Sequence, residues 1–144
     1  MRDINIDGYV IPKNLLYSEN HVWAKARGDV LVLGVTDFLQ KMLGTIISVN
    51  FPGNDSPIRR GNPLVWLESL KAVVAILSPI NCELMEVNER LREKPCIVNI
   101  EPYDEGWIAI VKALNQNDLK VFKSAEEYAR AILALSRYEQ YQVS

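Results

Sequence analysis

Regular punctuation constrains this chain more than any other feature. Through its first three quarters, short and partly β-branched apolar segments alternate with turn residues, the pattern of a protein made of short strands. Gly28-Asp29 separates Val22–Ala26 from Val30–Val35, which predicts a hairpin. Thr36-Asp37 then opens Phe38–Leu43 and Gly44 closes it. A threonine N-cap, an acid in the first turn and a glycine just past the end describe a helix of about two turns. Thr45–Phe51 reads as a strand that stops at Pro52-Gly53-Asn54-Asp55, followed by the polar loop Ser56–Asn62.

The next segment, Pro63–Leu77, fits two patterns. Leu67, Leu70, Val74 and Leu77 stand at helical spacing, whereas Val65, Trp66, Val73, Val74 and Ile76 favour strands, and the polar break Glu68-Ser-Leu-Lys71 falls at the centre. Two strands joined by a tight turn at Ser69–Lys71 is the preferred reading, although the turn lacks Gly, Asn and Pro. Ser78-Pro79 ends the segment. Beyond it the sequence predicts a strand over Asn81–Val87 and a helical turn over Glu89–Glu93 capped by Asn88. Strands over Cys96–Ile100 and Gly106–Val111 follow, around the turn Pro102–Glu105. Gly44–Asn50 and Cys82–Asn88 echo one another in apolar pattern and in their final Val-Asn, which suggests a pseudo-symmetric β-sandwich or barrel. The last thirty residues change character. Asn115–Leu119 reads as a helical turn, and Ser124-Ala-Glu-Glu127 is a capping box. Glu126–Tyr141 is a helix whose stripe of Tyr128, Ile132, Leu135 and Tyr138, with Ala131 beside it, packs on the β part. The expected organisation is a β domain over residues 1–114 with a helical extension over 115–144.

The counts remove whole classes of function. A formal net charge of −2, with Arg59-Arg60 as the longest cationic run, argues against nucleic acid. No run approaches the roughly 18 apolar residues of a membrane span, and residues 1–14 carry Asp3 and Asp7 in place of a signal-peptide apolar block, so a soluble cytoplasmic protein is expected. Cys82 and Cys96 form no CxxC, and His21 is the only histidine, which leaves the usual zinc sets out of reach and predicts no metal site. Both thiols are expected to be reduced, apolar and buried. Serine or cysteine catalysis would have to rest on His21, and the seven glycines make no phosphate loop. Such a chain carries a group for other enzymes more readily than it catalyses. His21 and Trp23 read as packing and hydrogen-bonding residues, and Tyr103–Trp107 as a structural turn.

Lys71 is the residue singled out by position. A hairpin tip pushes it into solvent, the geometry a tethered cofactor needs, because a mobile arm on a fixed base meets successive catalytic sites at high effective concentration. A turn lysine is more commonly a solvated charge without a role.

Several ordered blocks set this lysine apart. Glu68-Ser-Leu-Lys71-Ala resembles the lipoylation motif of the glycine cleavage system H-protein family, usually Glu-Ser-Val-Lys-Ala. Tyr17-Ser-Glu-Asn-His21-Val-Trp23 is similar to that family's His-Glu-Trp segment. Leu33-Gly-Val-Thr-Asp37 is similar to its Gly-Ile-Thr-Asp turn, with Leu43-Gly44 at the matching interval. Ser78-Pro79-Ile80-Asn81, Glu86-Val-Asn-Glu89, Val98-Asn99, Pro102-Tyr-Asp-Glu-Gly-Trp107 and Ser124-Ala-Glu-Glu-Tyr128 follow in family order, over roughly residues 15 to 130. The resemblance implies a mainly β, barrel-sandwich (lipoyl/biotinyl-type) hybrid fold with a short internal helix and a C-terminal helix. It implies lipoate bound covalently as N6-lipoyllysine at Lys71, with Glu68 recognised by the lipoyl-attaching enzyme, on a non-catalytic carrier. In such a system the arm shuttles an aminomethyl group between glycine decarboxylase, aminomethyltransferase and dihydrolipoyl dehydrogenase. Biotin carriers flank their lysine with Met; Leu70 and Ala72 stand here.

The departures from the family pattern raise a second pathway. Val22 replaces Glu, Phe38 and Met42 stand where His is frequent, Val73, Val74 and Ala75 replace small polar residues and Asp, and Cys82 replaces Gly. With His21, Val22 and Met42 as the arm's expected neighbourhood, the cargo could differ. The alternative is a lipoate-binding sulfur carrier serving a heterodisulfide-reductase-like complex in sulfur oxidation, with Cys82 or Cys96 assisting. A second alternative is an unmodified interaction module, which would work equally well with Lys71 replaced by Arg.

Overall fold

The computed structural model describes residues 3–53 and 57–143, with side chains as far as residue 137. An N-terminal hairpin, β1 (Ile4–Ile6) and β2 (Tyr9–Ile11), precedes β3 (Leu16–Tyr17), β4 (Val22–Arg27), β5 (Val30–Val35) and helix α1 (Asp37–Leu43). Then come β6 (Ile46–Asn50), β7 (Pro63–Ser69), β8 (Val73–Leu77) and β9 (Cys82–Val87). Two single-turn helices, α2 (Arg90–Glu93) and α3 (Ile97–Ile100), lead to β10 (Ala109–Ala113), a 3-10 turn (Gln116–Val121) and α4 (Ala125–Val143).

The strands form two main sheets. One runs β3-β4-β5-β10-β9 and the other β6-β7-β8, with every pairing antiparallel. Val22, Leu33, Val35 and Val111 of the first face Ile46, Val49, Val65, Leu67 and Ile76 of the second across one apolar core. The larger sheet is covered on its other side too, where Trp23 and Val32 pack with Phe38 of α1 and with Tyr128, Ala129 and Ile132 of α4. Burial on both faces explains why Val-Leu-Val-Leu-Gly-Val of β5 is an unbroken apolar run rather than an alternating one. The echoed segments become β6 and β9, each an edge strand of its own sheet.

Several expectations need correction. Cys96–Ile100 is not a strand: Val98 N–H bonds to the Pro95 carbonyl and Ile100 N–H to that of Cys96, winding one helical turn that buries Ile97 and Val98. Asn88 does not cap α2 with its side chain, which instead donates to the Glu105 and Trp107 carbonyls. The strand placed at Gly106–Val111 is Ala109–Ala113. The α4 stripe is Ala125, Tyr128, Ala129 and Ile132; Leu135 is 43% exposed, and the Tyr138 side chain lies outside the described residues, as do Asn54, Asp55 and Ser56 of the polar loop. The β1–β2 hairpin was not anticipated, although Asp7-Gly8 between apolar positions is its signal. Both residues sit at positive φ (50° and 86°), the backbone that a two-residue hairpin turn demands.

Candidate functional site

The hairpin expected at Pro63–Leu77 forms, with Glu68 paired to Val73 and the turn confined to Leu70–Ala72. Among the described residues only Asp7 and His21 are non-glycine residues at positive φ, so this turn needs no glycine. A serine does the work instead. Ser69 is buried, its N–H donates to the Ala72 carbonyl (2.8 Å), and its Oγ accepts from the N–H groups of Lys71 (3.2 Å) and Ala72 (3.3 Å). A side-chain oxygen that closes the turn on its own backbone replaces the usual turn residue. The Lys71 side chain is exposed and makes no hydrogen bond or ion pair with the described residues. A free amine on a braced tip is what an acylated lysine requires, and the residues present fit such a group.

The tip end of the hairpin is held by a continuous hydrogen-bond relay. Ile46 is paired with Ser69. Its N–H donates to Asn99 Oδ1 (2.8 Å), while Asn99 Nδ2 donates to the Gly44 carbonyl (2.8 Å) and to Gln40 Oε1 (2.9 Å). Gln40 Nε2 donates to Asp37 Oδ1 (2.8 Å), and Asp37 Oδ2 accepts from Val10 N–H (2.9 Å) and Lys41 Nζ (3.0 Å). The N-terminal hairpin, α1, α3 and β6 are therefore registered on one another beside the tip. Gly44, at φ 78°, lies against Lys71: a Cβ at residue 44 would stand 3.8 Å from Lys71 Cε. Asn99 entered the sequence reading only through the family pattern, and its bracing role was not legible there.

The other expected neighbours fall as follows. Met42 is 44% exposed at the end of α1, two residues from Gly44. Val22 is 1% exposed, opposite Val35 in the central core. His21 Nδ1 shares a hydrogen bond with the Tyr128 hydroxyl (2.8 Å), and its ring lies 5.0 Å from that of Phe38. Burial lowers its pKa from the ordinary 6.5. The same hydroxyl bonds Thr36 Oγ1 (2.7 Å), the side chain that caps α1 at Leu39 N–H. Trp23 donates its indole N–H to the Pro102 carbonyl (2.9 Å) and lies flat on Gly34, where a Cβ would come within 2.5 Å of the ring. Tyr103 accepts from Asp37 N–H and donates to the Val10 carbonyl, and its phenol is pushed far up by burial. His21, Trp23 and Tyr103 thus make packing and hydrogen-bond contacts of the kind expected for His21, Trp23 and the Tyr103–Trp107 turn. Cys82 is buried beside Ser78, and burial raises its pKa, which keeps it a thiol; Cys96 is exposed, contrary to the buried thiol expected. Three surface cavities border residues 58–62 at the other end of β7, and Lys71 lines none of the three.

A family model for the glycine cleavage H-protein matches residues 15–134. The chain belongs to that family. The H protein of Halothermothrix orenii is 42% identical over 120 residues, covering 83% of this chain and 94% of that protein. The Rubrobacter xylanophilus H protein is 41% identical over 122 residues, covering 85% and 94%. H protein 4 of Aquifex aeolicus is 29% identical over 140 residues, 97% of this chain and 82% of that protein. The crystal structure of the Mycobacterium marinum H protein superposes with a TM-score of 0.72 at 26% identity, covering 84% of this chain and 98% of that one. The two-sheet body with its internal and C-terminal helices is thus the lipoyl-type barrel-sandwich of the H proteins. No helix among the described residues is long and apolar enough to cross a membrane.

Proposed function

We propose that this protein is a lipoyl carrier of glycine cleavage, with lipoate in amide linkage to Lys71. It would serve glycine decarboxylase, aminomethyltransferase and dihydrolipoyl dehydrogenase after loading by a lipoyl-attaching enzyme that reads Glu68. The observation that carries the reading is the tip itself: an exposed lysine, unpaired among the described residues, on a turn closed by Ser69 and held from β6 through Asn99. Lipoate, when bound, supplies a reducible disulfide on a long tether that can hold a group between enzymes. The chain's part is mechanical. Ser69 keeps the tip from fraying, the Asn99 relay keeps the hairpin in register with α1, and Gly44 lies beside the lysine stem.

A second reading keeps the arm and changes the cargo to sulfur. What favours it is the exposed Cys96 thiol, one helical turn from Asn99, which bonds the glycine lying against Lys71. The two readings part on one experiment. Lipoylated protein is incubated with glycine and purified glycine decarboxylase, and its intact mass is followed. A glycine-dependent aminomethyl adduct supports glycine cleavage; no adduct, with an established H protein loaded in parallel, supports the sulfur carrier.

A further inference from the structure

The three-stranded sheet has one face in the core and the other in water; on the wet face β6 presents Ser48 and Asn50, and the β7–β8 part is mostly apolar. Trp66 of β7 is 41% exposed, Val73 and Leu77 of β8 are 60% and 38% exposed, and Leu70 at the tip is 80% exposed. The register sets Trp66 opposite Ala75 and Glu68 opposite Val73, so these side chains form one strip running down from Lys71. Solvated faces of antiparallel sheets normally alternate to polar residues, and a contiguous exposed apolar strip marks a surface made to be covered. Glu68 is the only charged residue on the outer face of β6–β8. It is half-buried and has no ion pair or hydrogen bond among the described residues. The face thus calls for a partner that brings an apolar surface and one cation.

We propose that this strip, Trp66, Val73 and Leu77 with Leu70 above and Glu68 as its single polar point, is the docking surface for the enzyme that acylates Lys71. The proposal rests on Lys71 being the lipoyl site. Reach selects this partner from among the enzymes the carrier would meet. In the loading step the Lys71 amine attacks the carboxyl carbon of an acyl adenylate. The amide bond forms, the acyl–phosphate bond breaks, AMP leaves, and the amine gives up its proton. At that moment the reacting nitrogen stands only a four-carbon stem from the tip, so the enzyme must close on the tip and the strands beneath it. Enzymes that act later have the acyl chain as a spacer. A second copy of this chain is the poorer occupant, because stacking two such faces sets two Glu68 carboxylates in one desolvated interface and covers both lysines.

The test is steady-state lipoylation of the full chain by a purified lipoyl protein ligase with ATP and lipoate, product being read by intact mass. Trp66→Thr/Val73→Thr keeps strand-forming residues at exposed positions. The double variant is expected to raise KM for the carrier about tenfold with kcat little changed, the size of effect that loss of an aromatic anchor brings. Met85→Thr, 52% exposed on the other sheet, should leave both constants unchanged. Equal KM for wild type and double variant, both acylated at Lys71, would overturn the docking surface and leave the carrier reading standing. A wild-type dimer in sedimentation that the double variant dissolves would overturn it in favour of self-association. A wild type left bare at Lys71 would remove the carrier reading and the docking surface together.

Discussion

Replacing Ser69 with Ala isolates the device that presents Lys71. The substitution removes one oxygen and leaves the Ser69 N–H to Ala72 carbonyl bond in place, along with the strand pairing. Two amides, those of Lys71 and Ala72, lose their acceptor, and the long bond that the hydroxyl donates to the Ala72 carbonyl (3.4 Å) goes with them. At 3.2 and 3.3 Å both bonds are long, and the tip is open to water that can replace them. Each therefore contributes near the bottom of the usual range of about 0.5–1.5 kcal/mol, or about 1 kcal/mol for the pair. That corresponds to roughly a fivefold rise in the population of the opened turn. Native-state hydrogen exchange reads it directly: the Lys71 and Ala72 amides should exchange faster by that factor. The amides of Leu67 and Val74, lower in the same hairpin, should keep their protection, because the opening is local. Unchanged exchange at residues 71 and 72 would refute the claim that the serine oxygen closes the turn. An equal loss of protection throughout the hairpin would mean that Ser69 stabilises the sheet rather than its tip.

Gly34→Ala drives a methyl into the Trp23 ring and should lower stability by about 2 kcal/mol or more, seen in denaturant midpoints. Tyr128→Phe removes the hydroxyl that joins Thr36 to His21 and leaves a buried hydroxyl and a ring nitrogen short of a partner. A loss of about 2 kcal/mol is expected, with α4 releasing its amides to exchange first. His21 makes stability depend on pH with a definite sign. Its folded-state pKa lies below the unfolded 6.5, so as pH falls through 6.5 the unfolded chain binds the proton first. Stability from the neutral imidazole is complete above that value, declines as pH drops toward the lowered folded pKa, and levels off below it. His21→Asn, which tolerates the positive φ of 68°, should abolish the decline in urea midpoints measured between pH 7.5 and 5. A slope equal to that of the wild type would place the titrating group elsewhere.

The strands and their pairing were legible where burial follows simple patterning. Gly28-Asp29 marks the β4–β5 turn, and Thr36 and Gly44 bracket α1 as their cap chemistry requires. Pro63–Leu77 is harder because an apolar strand covered on one side and apolar on its wet side carries no alternation. Only its β-branched content separates it from a helix. The turn was visible as a polar break, yet its cause, a serine oxygen accepting from two amides, has no glycine or proline to advertise it. Ile97-Val-Asn-Ile100 misleads for the opposite reason. Its residues favour strands, but Pro95 starts a helical turn, and burial of Ile97 and Val98 together with the three hydrogen bonds of Asn99 outweighs intrinsic preference. The exposed tip position of Lys71 was legible because a polar break between two apolar strands falls there. Its bracing comes from α1 and α3, far away in sequence, and long-range hydrogen bonds leave no local pattern.

The most direct test of the carrier reading is peptide mass spectrometry of the protein after co-expression with a lipoyl-attaching enzyme, with Lys71→Arg in parallel. The account predicts a single lipoyl adduct on the peptide that contains Lys71 and none on the variant. An adduct on any other lysine, or a bare Lys71 beside a known lipoyl domain modified by the same enzyme, would contradict it.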